Sequence, residues 1–227
     1  MIVAAHPDDE ILGLGAAMNK WINSFGIQSR VIILGEGITS RADERNSEKW
    51  KEELIIHKKN ISDAGKVIGY HSTGVFDFPD NRFDEIPLLN IIKSIEREKE
   101  LFKPDVIFTH HGGDLNIDHQ KTFEAVMTAC RPIKNEGVKT IFTFQTPSST
   151  EWASETQLRH FAPNFFVRVS EENVNAKIEA MECYQFEKRN YPHPRSPNAL
   201  KILAQHTGIR VGFDYAEAFC LIRHVGD

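Results

Sequence analysis

Short, wholly apolar runs alternate along the chain with longer stretches whose apolar residues recur at helical spacing. Met1-Ile2-Val3-Ala4 is followed by Ile11-Leu12-Gly13-Leu14-Gly15-Ala16-Ala17-Met18 and on to Trp21 and Ile22, which predicts strand, loop and helix. Val31-Ile32-Ile33-Leu34 gives way to a charged amphipathic stretch from about Asp43 to Ile68, a second strand and helix. Gly74-Val75-Phe76-Asp77-Phe78, a turn at Pro79-Asp80-Asn81, a helix over about 86–101 and a strand over 105–109 continue the series. A helix from His119 to about Cys130 follows, then strands over 140–144, 165–167 and 218–222, with helices over about 171–186 and 198–207. Successive β-then-α units need crossovers, and helices are the usual crossover between parallel neighbours, so the predicted fold is a doubly wound α/β sheet.

Length and composition narrow this picture. At 227 residues the chain suits a single domain over 1–227 with a full core. Hydrophobic residues at 41% and charged residues at 26% are ordinary soluble usage, which excludes a disordered or fibrous chain. A formal charge of −5 without a long basic block removes the electrostatic footprint of a nucleic-acid binder. No apolar stretch approaches the roughly 18 residues needed to span a bilayer, and His6 and Asp8 arrive too early for a signal-peptide core. Cys130, Cys183 and Cys220 are widely spaced and never arranged as C-x-x-C, which suggests a reduced, cytoplasmic setting.

In open α/β sheets ligands gather beyond the carboxyl ends of strands, and the unusual residues of this chain fall there. Ala5-His6-Pro7-Asp8-Asp9-Glu10 follows the first strand, Gly35-Glu36-Gly37 the second, Pro79-Asp80-Asn81 the third, and His110-His111-Gly112-Gly113-Asp114 the fourth. A cluster of acids at a strand exit calls for a compensating cation, because carboxylates are almost never buried unpaired. His6 and His119 as nitrogen donors with one carboxylate oxygen make the two-His, one-carboxylate set typical of hydrolytic zinc, with iron(II) or another divalent ion as the alternative occupant. Only one of Asp8 and Asp9 is needed as a ligand. The other is free to act as general base toward the attacking water, and spacing does not say which. Glu10 is expected to open the helix. His110 and His111 are expected to position neighbours rather than to ligate. Gly13 and Gly15 do not make a dinucleotide fingerprint, since they fall inside the predicted helix behind an acidic loop that would repel pyrophosphate.

These residues resemble the PIG-L/LmbE-like metal-dependent N-deacetylases of acetylated sugars. The resemblance lies in Ala5-His6-Pro7-Asp8-Asp9-Glu10, in Asp118-His119, in Phe78-Pro79-Asp80 and in the closing Ala216-Glu217-Ala218-Phe219, so it spans nearly the whole chain. It implies a Rossmann-like, mainly parallel sheet with helices on both faces. It also implies His6, Asp9 and His119 as zinc ligands, Asp8 as general base, and hydrolysis of the acetamide of an N-acetylglucosamine-type conjugate to free amine and acetate. Asp118 is expected to orient a neighbouring imidazole. Many members read His-Pro-Asp-His where this chain reads Asn116-Ile117-Asp118-His119, so either Asn116, which can donate a hydrogen bond but carries no proton, does a reduced job in place of the missing imidazole, or another histidine replaces it, His193 first. Asp80, Arg41 and Arg195 are expected at the substrate, Asp80 toward a sugar hydroxyl and Arg195 toward a phosphate or carboxylate. Loops over about 145–164 and 191–198 are expected to wall the pocket, with Trp152, Phe161 and Tyr191 as faces for a sugar ring. The resemblance is compatible with a homo-oligomer. Two rival readings are a metal-dependent hydrolase of another bond, such as a phosphoester, served by Arg195 and Arg41, and a non-catalytic binding domain, against which the intact Asp8 argues.

Overall fold

Seven strands, β1 (Ile2–Ala4), β2 (Arg30–Gly35), β3 (Ser72–Phe78), β4 (Val106–His110), β5 (Thr140–Phe144), β6 (Phe165–Arg168) and β7 (Ala216–His224), join one sheet in the order β3-β2-β1-β4-β5-β7-β6. The structure is a computed structural model that describes residues 1–41, 46, 48–134, 136–154 and 159–226. The first five strands run parallel, β7 is antiparallel to β5, and β6 is antiparallel to β7. Among the described residues, six helices cover the faces: α1 (Asp9–Phe25), α2 (Lys51–Ile68), α3 (Leu88–Phe102), α4 (Ile117–Ala129), α5 (Glu171–Cys183) and α6 (Pro197–Ile209).

Period-2 alternation along the strands feeds two separate cores. Ile2, Ala4, Val31 and Ile33 face a cluster with α1, α2, α5 and α6, while Val3, Ala5, Ile32 and Leu34 face a second with α3 and α4. Burial on both faces is why the inner strands read as unbroken apolar runs rather than alternating ones. The doubly wound, mainly parallel α/β fold is as expected. Among the described residues no helix is long and apolar enough to cross a membrane.

Helix α1 is broken at Leu14, where φ is −153°. Gly13 beside the break packs against Phe144 so closely that a Cβ would meet its ring at 2.3 Å. A buried ion pair satisfies backbone groups around the break: Lys177 Nζ donates to the Leu12 carbonyl at 2.7 Å and to Glu217 Oε1 at 2.6 Å, while Glu217 Oε2 accepts the Ala17 amide at 2.7 Å. The late Glu217 therefore ties β7 to the helix that begins at the acidic hexapeptide.

Several boundaries differ from expectation, each for a local reason. The second helix begins at Lys51 rather than near Asp43, after a 3-10 turn at Thr39–Arg41. Residues 42–45 and 47 of that expectation lie outside the described residues. Helix α4 begins at Ile117, two residues early, because Asn116 Oδ1 accepts the Asp118 amide at 2.8 Å and caps it. Helix α5 stops at Cys183 rather than near 186, since Tyr184 turns inward, wholly buried, to give its hydroxyl to Glu10.

Candidate active site

Strand β1 sits between β2 and β4, where the order of connections reverses, and in a doubly wound sheet a crevice opens beyond the carboxyl ends of the strands at that point. The chain leaving β1 fills it. Asp8 takes φ +103°, a backbone region that costs a non-glycine residue on the order of 1–3 kcal/mol. Its amide donates to Glu10 Oε2 at 3.1 Å, and its carbonyl accepts the amides of Ile11 and Leu12 at 3.0 and 2.9 Å. Asp9 and Glu10 thus occupy the first turn of α1, where the helix dipole favours negative charge. All three acids are buried.

Across the crevice, α4 presents His119 and β4 ends in His110. Asp9 Oδ2 lies 3.3 Å from His119 Nε2 and 3.4 Å from His6 Nδ1. One donor atom each from His6, Asp9 and His119 fall within 4.8 Å of one another. Both imidazoles have a carboxylate behind them: His6 Nε2 is 2.9 Å from Asp118 Oδ2, and His119 Nδ1 is 3.0 Å from Asp114 Oδ1. Asp118 is in turn held by the amides of Asn81 and Phe83 at 2.7 and 2.9 Å, and Asp114 by the hydroxyls of Ser149 and Thr150. A carboxylate behind each histidine fixes tautomer and ring orientation, as metal-binding histidines require.

Electrostatics point the same way. Burial pushes the Asp9 carboxyl up, but His119 and His110 outweigh it and hold the group well below the ordinary carboxylate range. Burial pushes His119 down, and Asp9 and Asp114 overcome it to raise the ring to about 9. His6 is likewise raised, burial being outweighed by Asp118, Asp9 and Asp80. The crevice therefore favours positive charge at the two rings around Asp9, and its donor set of two imidazole nitrogens and one carboxylate oxygen fits a divalent cation. His110 behaves differently. Its Nε2 accepts the Ala5 amide at 2.9 Å, its ring stacks on His119 at 3.9 Å, and burial followed by the His119 charge lowers it to about 4. It positions the exit of β1. His111 Nε2 lies 2.9 Å from the Arg159 carbonyl oxygen, on the loop side.

Asp8 is held by a different partner. Arg195 Nη1 donates to Asp8 Oδ2 at 2.9 Å and also to Glu187 Oε2 at 2.9 Å, while its Nε donates to Ser148 Oγ at 2.8 Å. Burial raises Asp8 well above the usual carboxylate range; the Arg195 charge opposes this, and Asp9 adds to it. The surrounding cavity has a volume of about 260 Å³, and its wall includes His6, Asp8, Asp9, His119, Trp152 and His193.

The remaining sequence-predicted residues reach this cavity in different ways. His193 lines it, with Nδ1 accepting the Arg195 amide at 3.2 Å and the ring edge-on to Trp152 at 5.9 Å. Asp80 lies 3.3 Å from His6 Nε2 and accepts both the amide and the hydroxyl of Ser40, at 3.1 and 2.7 Å. Arg41 lines the wall but pairs with Glu187. Asn116 also borders the cavity, with its amide Nδ2 given to Asn81 Oδ1 at 2.9 Å. Two expected sugar faces are elsewhere. Phe161 packs against His111 at 5.3 Å and lines other hollows, and Tyr191 is exposed outside the cavity wall.

Glu187, Asp114, Ser148 and His57 were not singled out from the sequence as site residues. Asp114 carried a signal, following two glycines in a histidine-rich strand exit. Glu187, in an unremarkable charged segment after α5, carried none.

Known proteins resemble this chain in sequence and fold. The profile of the PIG-L family, described as GlcNAc-PI de-N-acetylase, matches residues 1–130. An Escherichia coli (strain K12) protein, the uncharacterized deacetylase YaiS, is 28% identical over 190 residues, covering 82% of this chain and 89% of its own. The N,N'-diacetylchitobiose deacetylase from Pyrococcus horikoshii superposes with a TM-score of 0.76 at 15% identity, over 98% of this chain and 82% of its own. The 4-carboxy-2-hydroxymuconate hydratase GalB from Pseudomonas putida KT2440 superposes with a TM-score of 0.72 at 16% identity, over 100% of this chain and 97% of its own. A deacetylase and a hydratase share this architecture, so the fold alone does not select the reaction.

Proposed function

Because the chain belongs to the PIG-L, or GlcNAc-PI de-N-acetylase, family, we propose that it is a metal-dependent hydrolase that removes the acetyl group from an N-acetylglucosamine-type conjugate. The observation that carries this reading is the convergence of His6, Asp9 and His119 on one point beside a buried, ion-paired Asp8. His6 Nδ1, an Asp9 oxygen and His119 Nε2 would hold the cation, zinc by the chemistry of the donors and iron(II) as the alternative. A cation so held would supply Lewis-acid chemistry, lowering the pKa of a bound water and polarising the acetyl carbonyl.

The protein's own groups do the rest. Asp8 accepts the proton of the attacking water, and the Arg195 contact fixes the direction in which its free oxygen points. Asp118 and Asp114 keep His6 and His119 in the tautomers that ligate. Protonated Asp8 returns its proton to the departing amine, and His193, whose Nδ1 is taken by the Arg195 amide, offers its Nε2–H as a hydrogen-bond donor to the tetrahedral oxyanion. Asp80 and Asn116 border the sugar, and Trp152 offers it an apolar face. The substrate is a small amino-sugar conjugate, and the setting is cytoplasmic.

The test is an acetate-release screen of the zinc-loaded protein over N-acetylated glucosamine conjugates, run beside a panel of p-nitrophenyl phosphates. Acetate and free amine in equal amounts support the reading. Phosphate release without acetate would replace it with the phosphoester reading, and inactivity on both panels with any divalent ion would leave a binding domain.

A further inference from the structure

Two guanidinium groups converge on one neutral oxygen at the wall of the cavity. Arg41 Nη2 donates to the Phe186 carbonyl at 3.1 Å, and Arg189 Nη1 donates to the same oxygen at 2.8 Å. Among the described residues, compensation for these charges is thin. Glu187 pairs with Arg41 but is shared with Arg195, and among the described residues no carboxylate reaches Arg189. Like charges brought together around a single carbonyl repel, and an anion placed between them relieves the repulsion.

The side chain of Phe186 carries a second observation. His57, from α2, packs its ring against Phe186 at 6.0 Å and is only 1% exposed, yet neither ring nitrogen has a hydrogen-bond partner among the described residues. A buried polar group left without a partner is destabilising, so this ring is short of a ligand. It lines the same cavity as Arg41 and Arg189. Gly37 packs against Nε2: its φ is +67°, and a Cβ there would lie 3.1 Å from that nitrogen.

We propose that Arg41, Arg189 and His57 form a subsite for an anionic oxygen group, a carboxylate or a phosphate, carried by the substrate beyond its sugar ring. The proposal deepens the deacetylase reading and rests on it for the sugar. Arg195, the arginine first expected to meet such a group, is engaged by Asp8, Glu187 and Ser148. Arg41 stands three ion-pair contacts from Asp8, through Glu187 and Arg195, so the anion would sit apart from the reacting acetamide. Guanidinium forks match carboxylate and phosphate oxygens in pairs, and His57, kept neutral by its burial, adds an N–H donor without adding charge.

Calorimetric titration of the zinc-loaded protein with deacetylated ligands tests this without turnover. Glucosamine 1-phosphate and a carboxymethyl glucosaminide are compared with methyl glucosaminide, and inorganic phosphate is titrated separately. The expected result is tighter binding of at least one anionic ligand than of the neutral one by about tenfold or more, with most of that preference lost in both Arg41→Gln and Arg189→Gln. Equal affinities, no binding of any glucosaminide, or a preference that survives both substitutions and is matched by inorganic phosphate on the cation would overturn the subsite. Acetate release from methyl N-acetylglucosaminide is measured alongside. Its absence together with an arginine-dependent preference would reject the reaction and keep the subsite.

Discussion

Arg195 Nη1 lies 2.9 Å from Asp8 Oδ2, so the arginine that the sequence offers to the substrate is bonded to the acid proposed as general base. Asp8 is buried at a strained backbone position, with one oxygen committed to this contact and its amide committed to Glu10. The direction of its other oxygen is therefore set by a residue 187 positions away in sequence.

Removing that grip should show in turnover. Arg195→Ala is expected to lower kcat by about a hundredfold, the scale on which small misplacements of catalytic groups act, with a smaller change in KM. Arg195→Lys, which keeps the charge but not the planar fork, should recover part of the loss. Steady-state kinetics on an N-acetylglucosaminide checks both. A change confined to KM would return Arg195 to substrate binding.

Asp114 should act through His119. Asp114→Asn is expected to weaken metal binding by about 10- to 100-fold, the usual effect of losing a carboxylate behind a ligating histidine. Competition with a chelator measures it. Affinity equal to wild type would mean that the 3.0 Å contact with His119 Nδ1 does not set the ligand.

Asn116 has two local duties, capping α4 and bonding Asn81. Asn116→Ala should cost about 1 kcal/mol in a denaturant titration, and Asn116→Ser, which restores a capping oxygen, should regain most of it. Asn116→His, which places an imidazole beside Asp118, loses the cap as well. Its melting temperature is expected to fall even where its turnover rises.

How far the sequence could be read follows from the range of the interactions involved. The parallel core was legible because strands buried on both faces are apolar throughout and the helices between them are periodic. His6, His119 and one of the acids Asp8 and Asp9 were legible because acids and histidines beside a core need partners, and only the family resemblance chose Asp9. Glu187 was not legible: its importance lies in bridging Arg41 and Arg195 in space, and nothing in its neighbours along the chain marks that. Phe161 and Tyr191 were misjudged because aromatic residues in loops carry no sign of which way they turn. Arg195 lines the cavity, but its partner Asp8 belongs to the opposite end of the chain.

His57 gives a pH dependence with a definite sign. Burial lowers its pKa from the ordinary value near 6.5, Glu187 opposing and Arg41 reinforcing the change, so the folded state binds this proton less readily than the unfolded one. Stability is then fully present above the unfolded value and falls as pH drops below it. Between about pH 7.5 and about pH 5.5 the urea midpoint of the wild type should fall further than that of His57→Phe. Parallel curves would show that the ring is not held neutral.

The central claim is that Asp8 drives hydrolysis of an acetamide at the His6, Asp9 and His119 site, and acetate release by zinc-loaded wild type and Asp8→Asn side by side tests it most directly. The account predicts acetate and amine in equal amounts from the wild type, and a rate lower by about 10²- to 10⁴-fold in the variant with zinc content unchanged. Undiminished acetate release from a zinc-loaded Asp8→Asn protein would contradict it.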